Sequence, residues 1–450
     1  MSPISDNWNK LSAQEKFEAR FAELMSPSGV EFASPEVERA YKERVQIVKD
    51  AVRLKISVRV PVAPNVGFYP FAYAGVSAEE AMYDYERLGF ALKKYHADFQ
   101  PDSLASAPIY GPGQVFEILD YKLYRWPGHG VPPSSPYQCV EAEYMRAEDY
   151  DSFINDPSGF FMRTYLPRIF GALDPWQNLS PFTDILELPF IGGFMVPVGI
   201  PPVQEAFKKL IEAGAHSFEW IQTCLGIDGE TISKQGIAPL MGGFTKAPFD
   251  TLGDTLRGTR AIMLDMFRQP EKLLTALDRL IPIAIDMGVR SCTTNHNPVA
   301  FIPLHKGADG FMSNKDFKTF YWPSLKAVII GLIEEGIVPW LFVEGGYNQR
   351  LDIIADPDIP KGSTIWIFDQ TDMKEVKKRF TGWACFGGNV PVSMLKAATA
   401  DKVEAHVKGL IDDLAPDGGY ILSTGAVLDD AKAENLHAMI DTGRTYGVYK

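Results

Sequence analysis

Two stretches decide the fold: IVPWLFVEG (337–345) and STIWIFDQ (363–370). Each is a short, nearly continuous apolar run rich in β-branched and aromatic residues, ended by an acid and a turn. Neither alternates with period two. Such runs are expected of strands buried on both faces, as in a parallel sheet covered by helices. Working outward, the same pattern recurs at WACFGGN (383–389) and GYILSTG (419–425) downstream, and at PVAFIPLHKG (298–307) and GIAPLMGGF (236–244) upstream. Helical periodicity fills the gaps, as in TLGDTLRGTRAIMLDMF (251–267), QPEKLLTALDRLIPIAIDMG (269–288) and KDFKTFYWPSLKAVIIGLIEEG (315–336). In the last of these Pro323 is expected to kink the helix and Gly336 to end it. A final helix runs from Asp430 to Tyr446. Strand and helix alternating over more than 200 residues make an α/β fold, and the count is compatible with a (β/α)8 TIM barrel, the favoured reading, and with an open doubly wound sheet. No GxGxxG or GxxxxGK[ST] follows any strand, which disfavours nucleotide-binding open sheets.

The first half is less regular. Residues 1–58 read as an N-terminal helical extension, with SAQEKFEARFAELM and SPEVERAYKERVQIVKDAVRL each opening on a serine suited to N-capping. RVPVAPNVGF (59–68) reads as a first strand running into the aromatic loop GFYPFAYAG, a helix follows from Ser77, and ADFQPD (97–102) reads as a second strand. Residues 103–140 are rich in Pro, Gly and aromatics, and helical signal returns at 147–170 and 201–225. The organisation expected is one barrel over 59–450 with a loop-rich insertion around 103–180, placed as a lid.

Composition narrows the function. Charge is −13 and hydrophobic content 46%, so a folded chain is expected and general binding to nucleic acid or anionic membranes is not. The polar N-terminus lacks a signal-peptide pattern, and the best apolar run, Ala327 to Phe342, is broken by Glu334 and Glu335. A cytoplasmic protein with no membrane partner is expected. Cys139, Cys224, Cys292 and Cys385 form no CxxC pair, which argues against disulfides and zinc knuckles.

Barrels carry their chemistry at the C-terminal ends of the strands. Glu344 ends WLFVEGG, where partial desolvation would raise its pKa and suit it to acid chemistry; an ion pair with Arg350 is the bland alternative. His305 ends FIPLH, with Lys306 beside it. Asp369 ends STIWIFD, beside Gln370, and could instead cap the helix that starts near Thr371. These three are the catalytic candidates. If they converge, they also supply one nitrogen and two oxygens for a zinc ion. Asn65, Phe68, Tyr69, Asp372 and Asn389 are the substrate-binding candidates. Asp98, Asp102, Thr245, Lys246, Ser423 and Thr424 are further strand-end polar residues, and His129 and His296 are weak lid candidates.

The segments FTKAPFDTLGDTLRGTRAIMLDMFRQPEKLLTAL (244–277), LHKGADGFMSNKDFKTFYWPSLKAVIIGLIEEG (304–336), FGGNVPVSML (386–395) and GGYILSTGAVLDDAKAENLHAMIDTGRTYG (418–447) resemble the uroporphyrinogen decarboxylase superfamily, in the family's order. The resemblance implies a (β/α)8 barrel and one of two chemistries: porphyrinogen decarboxylation, or methyl transfer to or from a corrinoid. The decarboxylase's arginine-rich loop is replaced here by NVGFYPFAYAG, and its histidine after the last strand by STGAVL. The methyltransferases' zinc motif of His-x-Cys, with a further cysteine in the last loop, is replaced by Phe342-Val343-Glu344 and Ala426. The chain therefore looks most similar to the cobalamin-dependent methyltransferases of O-demethylase type. That resemblance implies a corrinoid protein as partner and a small aromatic methyl ether, or its phenol, as substrate. A decarboxylase of a smaller organic acid is the alternative, and a homodimer is an allowed assembly.

Overall fold

The computed structural model describes residues 8–449; the start of the helical extension and Lys450 lie outside them. Six parallel strands form one sheet in chain order: β1 (Gly243–Phe244), β2 (Val299–Leu304), β3 (Val338–Val343), β4 (Ile365–Phe368), β5 (Cys385–Gly387) and β6 (Tyr420–Ile421). Two shorter segments close the ring. Val62 pairs parallel with Leu422 beyond β6, and Ser103 pairs parallel with Ala238 ahead of β1. The Asp102 N–H donates to Val62 O at 2.9 Å and joins those two segments to each other. The result is a closed (β/α)8 barrel.

Side-chain alternation sorts the strands into an inside and an outside. Val338, Trp340 and Phe342 of β3, Ile365 and Ile367 of β4, Cys385 of β5 and Ile421 of β6 belong to one core cluster, the barrel interior. Leu341, Val343, Trp366, Phe368 and Phe386 belong to the other, shared with the surrounding helices. Both faces are buried, which is why the runs lack alternation.

The interior cluster also holds Phe17, Phe21 and Leu24 of α1 (Ala13–Met25) and Tyr41, Val45, Val48 and Val52 of α2 (Pro35–Val52). These helices open on Ser12 and Ser34, whose side chains accept from the N–H groups of Glu15 and Val37. They plug the N-terminal end of the barrel. Gly336, at φ 72° just ahead of β3, shows how tightly: a Cβ there would stand 2.5 Å from the Lys16 backbone.

The second strand differs from its sequence reading. Helix α3 (Tyr85–Phe99) runs through the first half of ADFQPD, and pairing begins only at Asp102 and Ser103. Asp98 is therefore a helix residue, bonded to Tyr73 and Lys94. Asp102 sits at the start of its strand, at the plugged end. It receives Arg59 through two bonds of 2.6 and 2.8 Å, and the Val62 N–H at 2.8 Å. It is a structural ion pair at the wrong end of the barrel for chemistry.

Between the second barrel position and β1 lies a long excursion. A small sheet of Tyr124–Pro127, Gly130–Val131 and Gln138–Cys139 is followed by short helical turns up to Asn178 and by the 35-residue helix α4 (Pro201–Gln235). Further on, Pro323 produces no break. It lies inside one continuous helical run, in α5 (Trp322–Glu334) directly after a π turn at Phe317–Tyr321, and that π turn is the local distortion where a kink was expected. Among the described residues no helix is long and apolar enough to cross a membrane.

Candidate active site

The alternation that fills the barrel also aims its upper residues inward. His305 continues the register of β2, and Glu344 that of β3, where Leu304 pairs with Val343. The two side chains meet at the mouth, His305 Nε2 standing 3.7 Å from Glu344 Oε1. They keep 32% and 41% of their side-chain surface exposed, so the pair faces the opening.

His305 is held from behind. Its Nδ1 lies 2.5 Å from Asp254 Oδ2, and Asp254 also pairs with Lys246 Nζ at 2.7 Å and Lys306 Nζ at 3.2 Å. The backbone beneath the ring is fixed by a second carboxylate. Asp250 accepts the N–H groups of His305 at 3.1 Å and Lys306 at 2.8 Å, and the phenol O–H of Tyr321 at 2.7 Å. Asp250 and Tyr321 are fully buried. Gly307 completes the turn, since a Cβ there would stand 2.3 Å from the Tyr347 hydroxyl.

These contacts spread the acidities apart. Burial would pull the His305 pKa down, but the hydrogen bond and charge of Asp254, with Asp250 and Glu344, carry it above the ordinary histidine value. Burial likewise works against the Asp254 anion, yet His305 and Lys246 hold it well below the usual carboxylate range. Burial raises Glu344; His305 opposes this and Asp250, Asp254 and Asp369 add to it. Burial also raises Asp369. The imidazole is thus biased toward its cation and the Glu344 carboxyl toward its acid form.

Asp369 ends β4, and its Oδ2 accepts the Gly345 N–H at 3.1 Å, bracing the turn that carries Glu344. The helix cap is instead Asp372, which accepts from Lys374 N–H ahead of the helix Met373–Phe380. Asn389 spends its amide on the carbonyls of Asp369 (2.7 Å) and Thr371 (3.1 Å). Asn65 lies at the end of the first strand, its backbone joined to Thr424 and Leu428 while its amide nitrogen is buried without a partner. Phe68 reaches the lid, with ring centroids 5.5 Å from both Tyr110 and Tyr137. Tyr69 does not face the mouth: it packs behind it against Tyr73, Tyr95 and Phe99. Among the described residues no three His, Cys, Asp or Glu side chains stand so that they could hold a metal ion. His305, Glu344 and Asp369 are therefore not gathered as a zinc ligand set, and the Nδ1 of His305 is committed to Asp254.

The lid covers this end of the barrel. Cys139, on its small sheet, feels the charges of Asp254, Lys246 and Lys306. Tyr137 stacks edge-on to Tyr124 at 5.6 Å, and Tyr124 lies 5.9 Å from Tyr121, extending an aromatic wall from Phe68. Asp250 and Asp254 are the residues that reading the sequence missed. Their i, i+4 spacing directly after the β1 strand was the available signal, because it puts two carboxylates on one face of the turn that leaves a strand end.

Residues 230–446 match the sequence model of the family described as Uroporphyrinogen decarboxylase (URO-D). No curated protein matches the chain. Among solved structures, a methyltransferase from Methanosarcina mazei superposes with a TM-score of 0.56 at 14% identity, covering 90% of this chain and 98% of that one. A B12-independent methionine synthase from Shewanella sp. W3-18-1 gives a TM-score of 0.32 at 9% identity, covering 45% of this chain and 59% of that one. The resemblance to the uroporphyrinogen decarboxylase superfamily thus holds across residues 230–446, on a barrel fold shared with the methyltransferase.

Proposed function

We propose that this protein is a corrinoid-dependent methyltransferase that moves a methyl group between a small aromatic methyl ether, or its phenol, and the cobalt of a corrinoid carried by a partner protein. The observation that carries the reading is the Glu344–His305 pair, 3.7 Å apart at an open barrel mouth under an aromatic lid. Both side chains keep part of their surface exposed, so a group entering the mouth can reach them. A corrinoid, when bound, supplies the centre that takes or returns the methyl group.

The residues of this chain do the rest. An ether oxygen leaves as a phenolate only with difficulty, so a proton delivered to it as the O–CH3 bond breaks lowers the barrier. Glu344, raised by burial, holds that proton and gives it to the oxygen, releasing a neutral phenol. In the reverse direction its carboxylate takes the phenol's proton. His305, biased toward its cation and oriented by Asp254, stabilises the carboxylate that remains. Phe68, Tyr137 and Tyr124 supply flat apolar surface for the ring. The donor set gathers no metal site, and no step runs through zinc.

The test is spectroscopic. The purified protein is mixed with methylcobalamin and a panel of phenols, and the methyl–cobalt absorption is followed. Enzyme-dependent loss with one phenol, together with its methyl ether as product, is expected. Glu344→Gln should abolish that turnover and leave the thermal midpoint in place. Unchanged turnover in the variant removes Glu344 from the mechanism. Carbon dioxide release from a small acid without any corrinoid would replace the whole reading by the decarboxylase.

A further inference from the structure

The largest exposed apolar surface lies away from the mouth, on the excursion that carries the lid. Residues 188–200 read LPFIGGFMVPVGI and contain no charge. Within 182–200, Leu188 is 86% exposed, Leu186 74%, Val196 66% and Phe182 64%, with Phe190 and Met195 about half exposed. This segment feeds directly into α4.

Helix α4 has two apolar faces. Val203, Ala206, Ala213, Cys224 and Ile227 are buried against the rest of the chain. On the far side Ile211 is 72% exposed, Phe218 69% and Leu225 51%. These three recur at intervals of seven, which keeps them within about 20° per heptad of one line along the helix. Between them the same face carries Gly214, Ala215 and Gln222, with no charge. A Cβ at Gly214 would meet nothing within 4 Å, so another backbone has room to approach. A seven-residue apolar repeat on an open face is the pattern of helix-to-helix packing.

We infer that this surface is the interface with a second copy of this chain, with α4 packed antiparallel on its counterpart about a two-fold axis near Phe218. Three observations select that occupant. First, area: at roughly 200 Å² for a fully exposed large apolar side chain, the helix stripe exposes about 400 Å² and residues 182–200 on the order of 1,000 Å² over all their sides, so covering about half of the latter with the stripe reaches the roughly 800 Å² per partner of a stable complex. Second, symmetry: an axis at Phe218 sets Ile211 opposite the Leu225 of the second copy, so apolar side chain meets apolar side chain along the stripe. Third, charge: residues 182–200 contain no Lys or Arg but do contain Asp184 and Glu187, and the chain carries −13, so an anionic lipid surface is disfavoured.

The interface also bears on the site. Asp228, in the buried part of α4, accepts Ser106 Oγ at 2.5 Å and the Ala107 N–H at 2.9 Å, at the point where the chain leaves the second barrel strand for the lid. A helix steadied by its twin anchors the root of the lid.

Sedimentation velocity on the full chain at about 10 μM tests this. The expected species has twice the 50.0 kDa of one chain. Phe218→Glu, Ile211→Glu and Leu225→Lys, all at exposed positions, should each return it to one chain's mass with unchanged circular dichroism. The double variant Ile211→Glu with Leu225→Lys should recover the dimer at low salt, because the antiparallel arrangement sets each new acid against a new base. A wild-type species of one chain's mass overturns the inference, whether or not it floats with lipid vesicles. A dimer that survives Phe218→Glu, or a double variant that stays single, overturns the antiparallel helix pairing.

Discussion

Replacing Asp250 by Asn tests whether the turn under His305 is held by a buried anion. Three donors converge on that carboxylate: the His305 and Tyr321 groups on Oδ2, and the Lys306 N–H on Oδ1. An amide has one acceptor oxygen. If its nitrogen takes the Oδ1 position, the Lys306 N–H faces another donor; if it takes the Oδ2 position, the His305 N–H does. At least one N–H aimed at the fully buried side chain of residue 250 then loses its partner, at about 1–3 kcal/mol, and the remaining bonds lose their carboxylate acceptor. A total of about 2–4 kcal/mol follows. At ~2.1 cal/mol/K per residue, a 450-residue chain loses about 1 °C of midpoint per kcal/mol, so Asp250→Asn should melt about 2–4 °C early. Tyr321→Phe removes one donor and keeps both backbone bonds, so it should cost about half as much. Differential scanning fluorimetry at pH 7 reads both, and the double variant should cost less than the sum, since the two groups share a bond. An Asp250→Asn protein that melts with wild type would mean that the three bonds contribute nothing to holding the loop.

The other predictions concern charge and position. Asp254→Asn should lower the His305 pKa, read by NMR titration of the imidazole. In the wild type, the raised His305 makes a contribution that is full below its unfolded value near 6.5 and fades as pH rises through the folded one. The lowered Asp254 makes one that is full above its unfolded value near 3.9 and fades as pH falls through the folded one. The midpoint difference between wild type and Asp254→Asn should therefore be greatest between about pH 4 and 6.5 and shrink above it, without vanishing, because Asp254 also pairs with Lys246 and Lys306; a flat difference would separate His305 from Asp254. Asp102→Ala, which removes the buried carboxylate shared by Arg59 and Arg44 and leaves Arg59 only the part-exposed Glu43, should cost about 3–5 kcal/mol in stability yet leave turnover per folded molecule intact; selective loss of turnover would place Asp102 in the chemistry after all. Asp369→Asn keeps an oxygen for the Gly345 N–H and should cut turnover far less than Glu344→Gln; equal loss would move Asp369 from bracing the turn to acting on substrate.

How much of this could be read beforehand depended on how many signals a residue leaves. The strands of the second half announced themselves because burial on both faces makes apolar runs that nothing else in a folded chain explains. The period-two rule then fixed which strand-end side chains point inward, and it brings His305 and Glu344 together. The second strand was illegible because it pairs through little more than Ser103, with polar neighbours and a preceding helix that consumes its expected residues. Helix α4 reads as ending at 225 because Gly226 and Gly229 imitate a stop signal, yet both face open space and the helix runs on to Gln235. Tyr69 and Phe68 are adjacent aromatics in one loop, and only tertiary packing decides that one turns to the lid and the other to α3.

The two missed aspartates explain why a histidine at a strand end can serve as a fixed charge. Asp250 never touches the imidazole; it holds the backbone N–H groups of His305 and Lys306. Asp254 never touches that backbone; it holds the ring and the two lysines. Separating these tasks matters, because one carboxylate doing both would have to give up hydrogen bonds to the loop whenever the ring changed its proton count. Here the loop stays satisfied in either state, and only Asp254, already surrounded by Lys246 and Lys306, meets the change. Glu344 then experiences a cation whose position does not depend on the reaction's progress, which is the condition for electrostatic stabilisation without reorganisation. In the proposed mechanism the acid at the end of β3 is the proton donor, and the acids after β1 hold the histidine beside it in place.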